Sequence, residues 1–395
     1  MRRISAHYIY LGDGSILKYG ILTVSDDGTV LSIEDTKGVM KESAKVEFYP
    51  GILIPGMVNA HCHLELTHAK GCIPRNLELS GFLKNVISLP DVDSDKRSAM
   101  MGAADRMMYE SGISVVGDIS NGDSSFDTKQ KSKIYYHTFV EALGLDSSKA
   151  EGSFSYVRTV YDEALNRGLS ASIVPHAPYS VSRELMSMIN QFDANSIVTI
   201  HNQESDSEND LFIRGEGKMA THLTHNIGFD MSEFPVLRHS SIHYHGSMID
   251  KSHTLLLVHN TFMSREDLDF ILNLREGAKT TFVLCPKSNI YIEGSLPNIE
   301  MFRDEVVSLA IGTDSLSSND TLSMMEEIKV IQNNFPDISL NELVQMATSN
   351  GAKALLLEEQ YGTIAVGKKP GIVLLKDVDL KNHRLRATSN SIRII

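Results

Sequence analysis

Apolar and polar positions alternate at both ends of the chain. The runs ISAHYIYLGDGS, ILTVSDDGTV and VEFYPGILIPG are short, period-two and broken by Gly and Asp turns. That pattern predicts β-hairpins. From residue 362 onward, GTIAVGKKPGIVLLKDVDL has the same character. Two β segments at opposite chain ends, 1–54 and 362–395, are therefore expected to pair into one small sheet domain flanking a long α/β centre.

Within 55–361 the period changes. Eight short β-rich runs alternate with helix-like stretches: GMVNAHCH, ISVVGDIS, KIYYHTFVEA, SASIVPHA, SIVTIHNQE, TLLLVHN, TTFVLCP and VVSLAIGTDS. Strands alternating with helices imply parallel βα units, and eight of them suggest a closed (β/α)8 TIM barrel. The stretches DKRSAMMGAADRMMYESG and NELVQMATSNGAKALLL read as intervening amphipathic helices, the first ending at a Gly. The methionine pairs at 100–101 and 107–108 read as core filler. Residues 205–250 break the rhythm: polar, mixed in charge and rich in histidine, they read as an insertion over the barrel mouth.

Bulk properties narrow the function. Thirty-seven basic against 50 acidic residues give a net charge of −13. Phosphate binding draws on clustered Lys and Arg, so neither nucleic acid nor an anionic membrane surface is an expected partner. Cys62, Cys72 and Cys285 form no C-x-x-C and cannot all pair. A reducing cytoplasm is the expected location. The N-terminal run lacks the apolar core of a signal peptide, and no stretch of about 18 apolar residues is present to span a membrane.

Chemistry gathers where the candidate strands end. The first run ends in His61-Cys62-His63, the fifth in His201, the sixth in His259 and the eighth in Asp314. Barrel active sites are built at C-terminal strand ends, so these residues are expected to converge. Period-two alternation puts His61 and His63 on one face and Cys62 on the other. Imidazoles and a carboxylate suit Zn²⁺ or Fe²⁺ rather than Ca²⁺ or Mg²⁺.

Those residues also carry a family resemblance. PGMVNAHCHLELTH resembles the first-strand signature of the amidohydrolase superfamily, and HNQESDSE its fifth-strand motif, a His with Glu three residues on. LCPKSN and IGTDSLSSN are similar to the seventh- and eighth-strand motifs, and GTIAVGKKPGIVLL to the stretch re-entering the family's small β domain. The resemblance covers nearly the whole chain and looks closest to the chlorohydrolase and nucleoside-deaminase branch; HLE after the H-x-H also resembles aminofutalosine deaminases. It implies a barrel with a small β-sandwich domain formed from both termini. It further implies one divalent ion, zinc with iron as the alternative, held by His61, His63, His201 and Asp314.

By the same resemblance, Glu204 delivers a proton to a ring nitrogen and Asp314 takes one from the attacking water. His259 orients that water, and His176 contacts substrate. The implied reaction is attack of a metal-bound hydroxide on a small amino-substituted heterocycle (purine, nucleoside or pterin-like), with release of ammonia. Two-metal relatives carry a lysine at the end of the third or fourth strand. Here those ends read Phe139-Val140-Glu141 and Pro175-His176-Ala177, which favours one metal. Many relatives are homo-oligomers.

Competing readings exist at each position. The same hydroxide serves removal of a halide or alkylamine, or opening of a cyclic amide, because leaving-group choice lives in pocket shape. A catalytically silent binding barrel is a third option, disfavoured because every expected ligand is present. His253 rivals His259 but does not follow the apolar run directly. His243-Tyr244-His245 is a second H-x-H with no strand-like run before it, which favours solvated loop histidines. Glu65 and His68 either line the pocket or cap a loop, and Glu141 is equally placed for structure or catalysis.

Overall fold

The computed structural model describes residues 1–39 and 45–395. Seven strands from the two chain ends join in one sheet: Arg2–Tyr10, Ile16–Lys18, Ile21–Val24, Val30–Glu34, Val46–Pro55, Ile372–Lys376 and Asn390–Arg393. Arg2–Tyr10 runs parallel to Val46–Pro55, which in turn pairs antiparallel with Ile372–Lys376. The alternating apolar positions bury a small core of its own, including Ile4, Leu22, Val24, Leu53, Ile372 and Leu374.

All eight expected parallel strands form. They are β1 (Met57–His63), β2 (Ile113–Ser120), β3 (Tyr135–Ala142), β4 (Ser170–Pro175), β5 (Ile197–Asn202), β6 (Thr254–His259), β7 (Thr280–Leu284) and β8 (Ser308–Ile311), the last resuming at Asp314–Ser315. Neighbours pair in parallel from β1 to β4 and from β5 to β8, and Asp314–Ser315 pairs with β1. The His201 N–H donates to the His176 carbonyl (2.9 Å) and the Thr313 N–H to the His61 carbonyl (3.0 Å), closing the ring at both seams. Every residue of β1, β2 and β5 is buried, as expected of parallel strands covered on both faces.

Helices cover the outside. Ser94–Ser111 starts at Asp93, whose side chain accepts from the Asp95 and Lys96 N–H groups, and stops at Gly112 with φ 105°. This is an N-cap at one end and a left-handed C-cap at the other. Of its methionines, Met101 and Met108 are buried, but Met107 is 59% exposed. The core-filler expectation thus fails for Met107, because the helical period turns it outward. NELVQMATSNGAKALLL forms two helices, Leu340–Met346 and Ser349–Ala354.

Residues 205–250 are more ordered than their composition implied. They contain helices Asp206–Arg214, Lys218–His222 and Ile242–His245, with a π turn at Leu223–Ile227. The solvated-loop reading of His243-Tyr244-His245 is corrected. His245 is fully buried with Nδ1 against the Ser241 carbonyl (3.0 Å), and His243 stacks on Phe270 at 3.8 Å between ring centroids. His222 is buried as well. Tertiary packing, which local polarity does not report, removed the His222 and His245 rings from water and half-buried His243.

Candidate active site

The C-terminal ends of β1, β5 and β8 bring four donor side chains together. The Nε2 atoms of His61 and His63 are 3.1 Å apart, and Asp314 Oδ1 lies 3.6 Å from the first and 3.4 Å from the second. The His201 ring centroid is 4.9 Å from that of His61 and 5.4 Å from that of His63. Ligand nitrogens of the three histidines all fall within 4.8 Å of one another. All four residues are buried.

Surrounding bonds orient these donors. His201 Nδ1 donates to the His176 carbonyl (2.8 Å), which leaves Nε2 with its lone pair. Asp314 Oδ2 accepts from Ser288 Oγ and Ser318 Oγ, both at 2.6 Å, so Oδ1 is the oxygen turned to the histidines. Burial, helped by the neighbouring rings, lowers the His63 pKa to about 3 and holds His201 well below the usual histidine range. Neutral imidazole is the metal-binding form. His61 Nδ1 is buried without a hydrogen-bond partner. Neutral imidazoles and one ionisable oxygen converging on a point fit a divalent transition-metal ion.

Backbone strain accompanies this placement. Gln203, His259 and Asp314 have φ of 45°, 73° and 56°. Left-handed geometry in non-glycine residues is costly and concentrates at functional sites. At position 312 the constraint is steric, since a Cβ there would lie 2.8 Å from both His61 Cβ and the His61 carbonyl oxygen. Only glycine lets β8 approach His61 so closely.

Glu204 and His259 face one another, with Oε1 3.6 Å from Nε2, and both are buried. Burial, reinforced by the Asp314 charge, pushes the Glu204 carboxyl well above its usual pKa and so favours the protonated form. Burial also lowers His259 to about 4. Glu208 holds the turn beneath: its two carboxylate oxygens accept from the Gln203 N–H (3.0 Å) and the Glu204 N–H (3.2 Å), and Ser241 Oγ adds a third bond (2.5 Å).

His176 sits beside the cluster with its ring centroid 4.9 Å from that of His201 and Nδ1 paired to Ser180 Oγ (2.7 Å). Glu141 also reaches the site: Oε2 accepts from Asn121 Nδ2 (2.9 Å), and burial raises its pKa to about 7. Glu141, His176 and His201 form a second cluster of ligand type. There, however, the nitrogen facing Glu141, His201 Nδ1 at 3.8 Å, already donates to a carbonyl. Glu65 accepts from the Asn121 N–H and Ser124 Oγ, both at 3.0 Å, and His68 Nδ1 bonds the Glu65 carbonyl at the same distance. Both cap loops. His253 lies just before β6, at the opposite end of the strand from His259.

Sequence reasoning did not assign Ser288, Ser318 or Glu208. The first two lie inside LCPKSN and IGTDSLSSN, and the third follows Glu204 by one helical turn, so spacing alone marked them. One cavity of about 550 Å³ joins His63, His176, His201, Glu204, His259 and Asp314. Its outer wall is apolar and includes Leu79, Phe82 and Leu223.

The family model described as the amidohydrolase family matches residues 52–392. An adenosine deaminase of Helicobacter pylori is 29% identical over 337 residues, covering 82% of this chain and 79% of its own. Among solved structures, Helicobacter pylori aminofutalosine deaminase in complex with methylthio-coformycin superposes with TM-score 0.81 at 23% identity, over 95% of this chain and 92% of that one. An adenosine deaminase from Xanthomonas campestris with bound zinc gives 0.69 at 20% identity, over 97% and 86%.

Proposed function

The chain belongs to the amidohydrolase family, and on that premise we propose that it is a metal-dependent hydrolase that deaminates a small amino-substituted heterocycle of the nucleoside type. The observation that carries the reading is the convergence of His61, His63, His201 and Asp314 at one barrel mouth, with Glu204 and His259 facing across it. Deaminases among the relatives support the bond broken. Zinc bound in a protein of the same fold supports zinc over iron.

Bound by those four residues, a divalent ion would lower the pKa of water to about 7 and so supply hydroxide at neutral pH. The chain's own groups account for the remaining proton movements. Glu204, kept neutral by burial, gives its proton to a ring nitrogen next to the amino-bearing carbon, which makes that carbon electrophilic. Asp314 Oδ1 takes the proton of the attacking water, and His259, neutral and fixed at the end of β6, orients the water. His176 packs against the ring. Asp314 then passes its proton to the amino nitrogen, the carbon–nitrogen bond breaks with release of ammonia, and the hydroxyl proton left on the attacked carbon returns to Glu204, so that one water is consumed and both carboxyls are restored.

The same reading treats 1–54 and 362–395 as a small β domain, and 55–361 as the catalytic barrel. It takes the cytoplasm as location and a homo-oligomer as the assembly. The test is ammonia release from a panel of adenosine, guanine and pterin derivatives with zinc present. Products in which oxygen replaces the amino nitrogen support deamination. Silence across the panel removes it, and a product carrying a whole added water replaces it with opening of a cyclic amide.

A further inference from the structure

Glu141 has no part in the proton transfers above, yet it ends β3 inside the same cavity with 4% of its surface exposed. Its Oε2 accepts from Asn121, but Oε1 is buried without a hydrogen-bond partner. A buried polar oxygen left without a donor is unfavourable, so such an atom in a cavity is a natural anchor for a ligand's donor group. The nearest candidates inside the protein are engaged: His201 Nδ1 bonds the His176 carbonyl, and His176 Nδ1 bonds Ser180. Around the ring, β3 lies two strands from β5 and Glu204. Glu141 therefore meets a part of the substrate away from the protonated ring nitrogen.

Two further features limit what that substrate carries. Helix Glu78–Ile87 supplies Leu79, Phe82, Leu83 and Val86 to the cavity wall, and the 223–227 turn adds Leu223 and Ile227. Among the described residues the lining contains no lysine or arginine, while the carboxyl groups of Glu141, Glu204 and Asp314 all face inward. A phosphate would meet acids and no cation.

Resting on the deaminase reading, we propose that Glu141 determines specificity: its Oε1 receives a hydrogen bond from a sugar hydroxyl of an uncharged nucleoside whose other arm is apolar and lies along the wall of Glu78–Ile87 and 223–227. A nucleotide is refused for want of a cation, and a nucleoside with a free 5′-hydroxyl leaves that hydroxyl unpaired against hydrocarbon.

The experiment compares kcat/KM of the zinc-loaded full chain for adenosine, 5′-methylthioadenosine, adenosine monophosphate and 2′,3′-dideoxyadenosine, with Glu141→Ala, Glu141→Gln and Leu223→Asn beside the wild type. The wild type is expected to favour the methylthio substrate over adenosine by about tenfold or more and to leave the monophosphate untouched. Glu141→Ala is expected to lose about 10- to 100-fold on the ribonucleosides, mainly in KM, and almost nothing on the dideoxy substrate; Glu141→Gln, which keeps an acceptor, recovers much of the loss. Leu223→Asn should narrow the gap between methylthioadenosine and adenosine. Equal loss on ribo and dideoxy substrates, or turnover of the monophosphate, overturns the assignment while leaving deamination standing. No ammonia from any substrate, with zinc bound, overturns the deaminase reading and this assignment with it.

Discussion

Glu204 and Asp314 are both buried carboxyls, yet their surroundings fit them for opposite roles. Burial, reinforced by the Asp314 charge, raises the Glu204 pKa and so favours its protonated form, and its Oε1 faces His259. Asp314 accepts two serine hydroxyls on one oxygen and turns the other to His61 and His63. Glu204→Gln is therefore expected to lower kcat by about 10²–10⁴ while metal content, read by elemental analysis, stays at the wild-type level. His61→Ala or Asp314→Asn should instead abolish metal retention and turnover together. Stripping the metal with a chelator should lower Tm, and zinc at 100 times its Kd should restore about 2.7 kcal/mol of stability, readable by thermal unfolding. A Tm indifferent to chelator and zinc would rule out ion binding at this cluster.

Strands and helices supply the support that makes such positions reliable. On the outer side of β2, Asp118 and Lys129 form an ion pair of 2.7 Å with both side chains fully buried. Asp118 Oδ1 also accepts the Leu64 N–H (2.8 Å) just past His63, and Lys129 Nζ donates to Ser120 Oγ (2.7 Å). The pair thus ties helix Phe126–Lys131 to the end of β1, which carries His61 and His63. Lys129→Met strands a buried carboxylate and should cost about 3–5 kcal/mol in denaturant unfolding. Adding Asp118→Asn to it should return part of that loss; a double variant no better than the single would refute the pairing argument. Gly312→Ala is a second case. Its Cβ would collide with His61, so β8 or His61 must shift by tenths of an ångström, and zinc affinity should fall while the fold, followed by circular dichroism, persists.

Across the whole molecule, the terminal sheet is fastened to the barrel by its last strand. Arg393 donates to the Tyr109 and Ile113 carbonyls (both 2.8 Å) and stacks over the Tyr109 ring. Arg393→Ala removes these two bonds and the ring contact and should destabilise the chain by about 1–3 kcal/mol, with turnover unchanged at temperatures below the transition. The strand runs, the helix stop at Gly112 and the metal-type residues at strand ends were legible in the sequence because each is a local matter of period two, period 3.6 or a turn residue. His61, His63, His201 and Asp314 stood out since a polar ligand closing an apolar run is rare enough to notice. The fate of His245, the unpartnered oxygen of Glu141, the burial of Lys129 with Asp118 and the serines behind Asp314 were decided only by the tertiary structure. Burial and hydrogen-bond partners depend on segments far away along the chain, and no local pattern reports which of them will meet once the ring of strands closes.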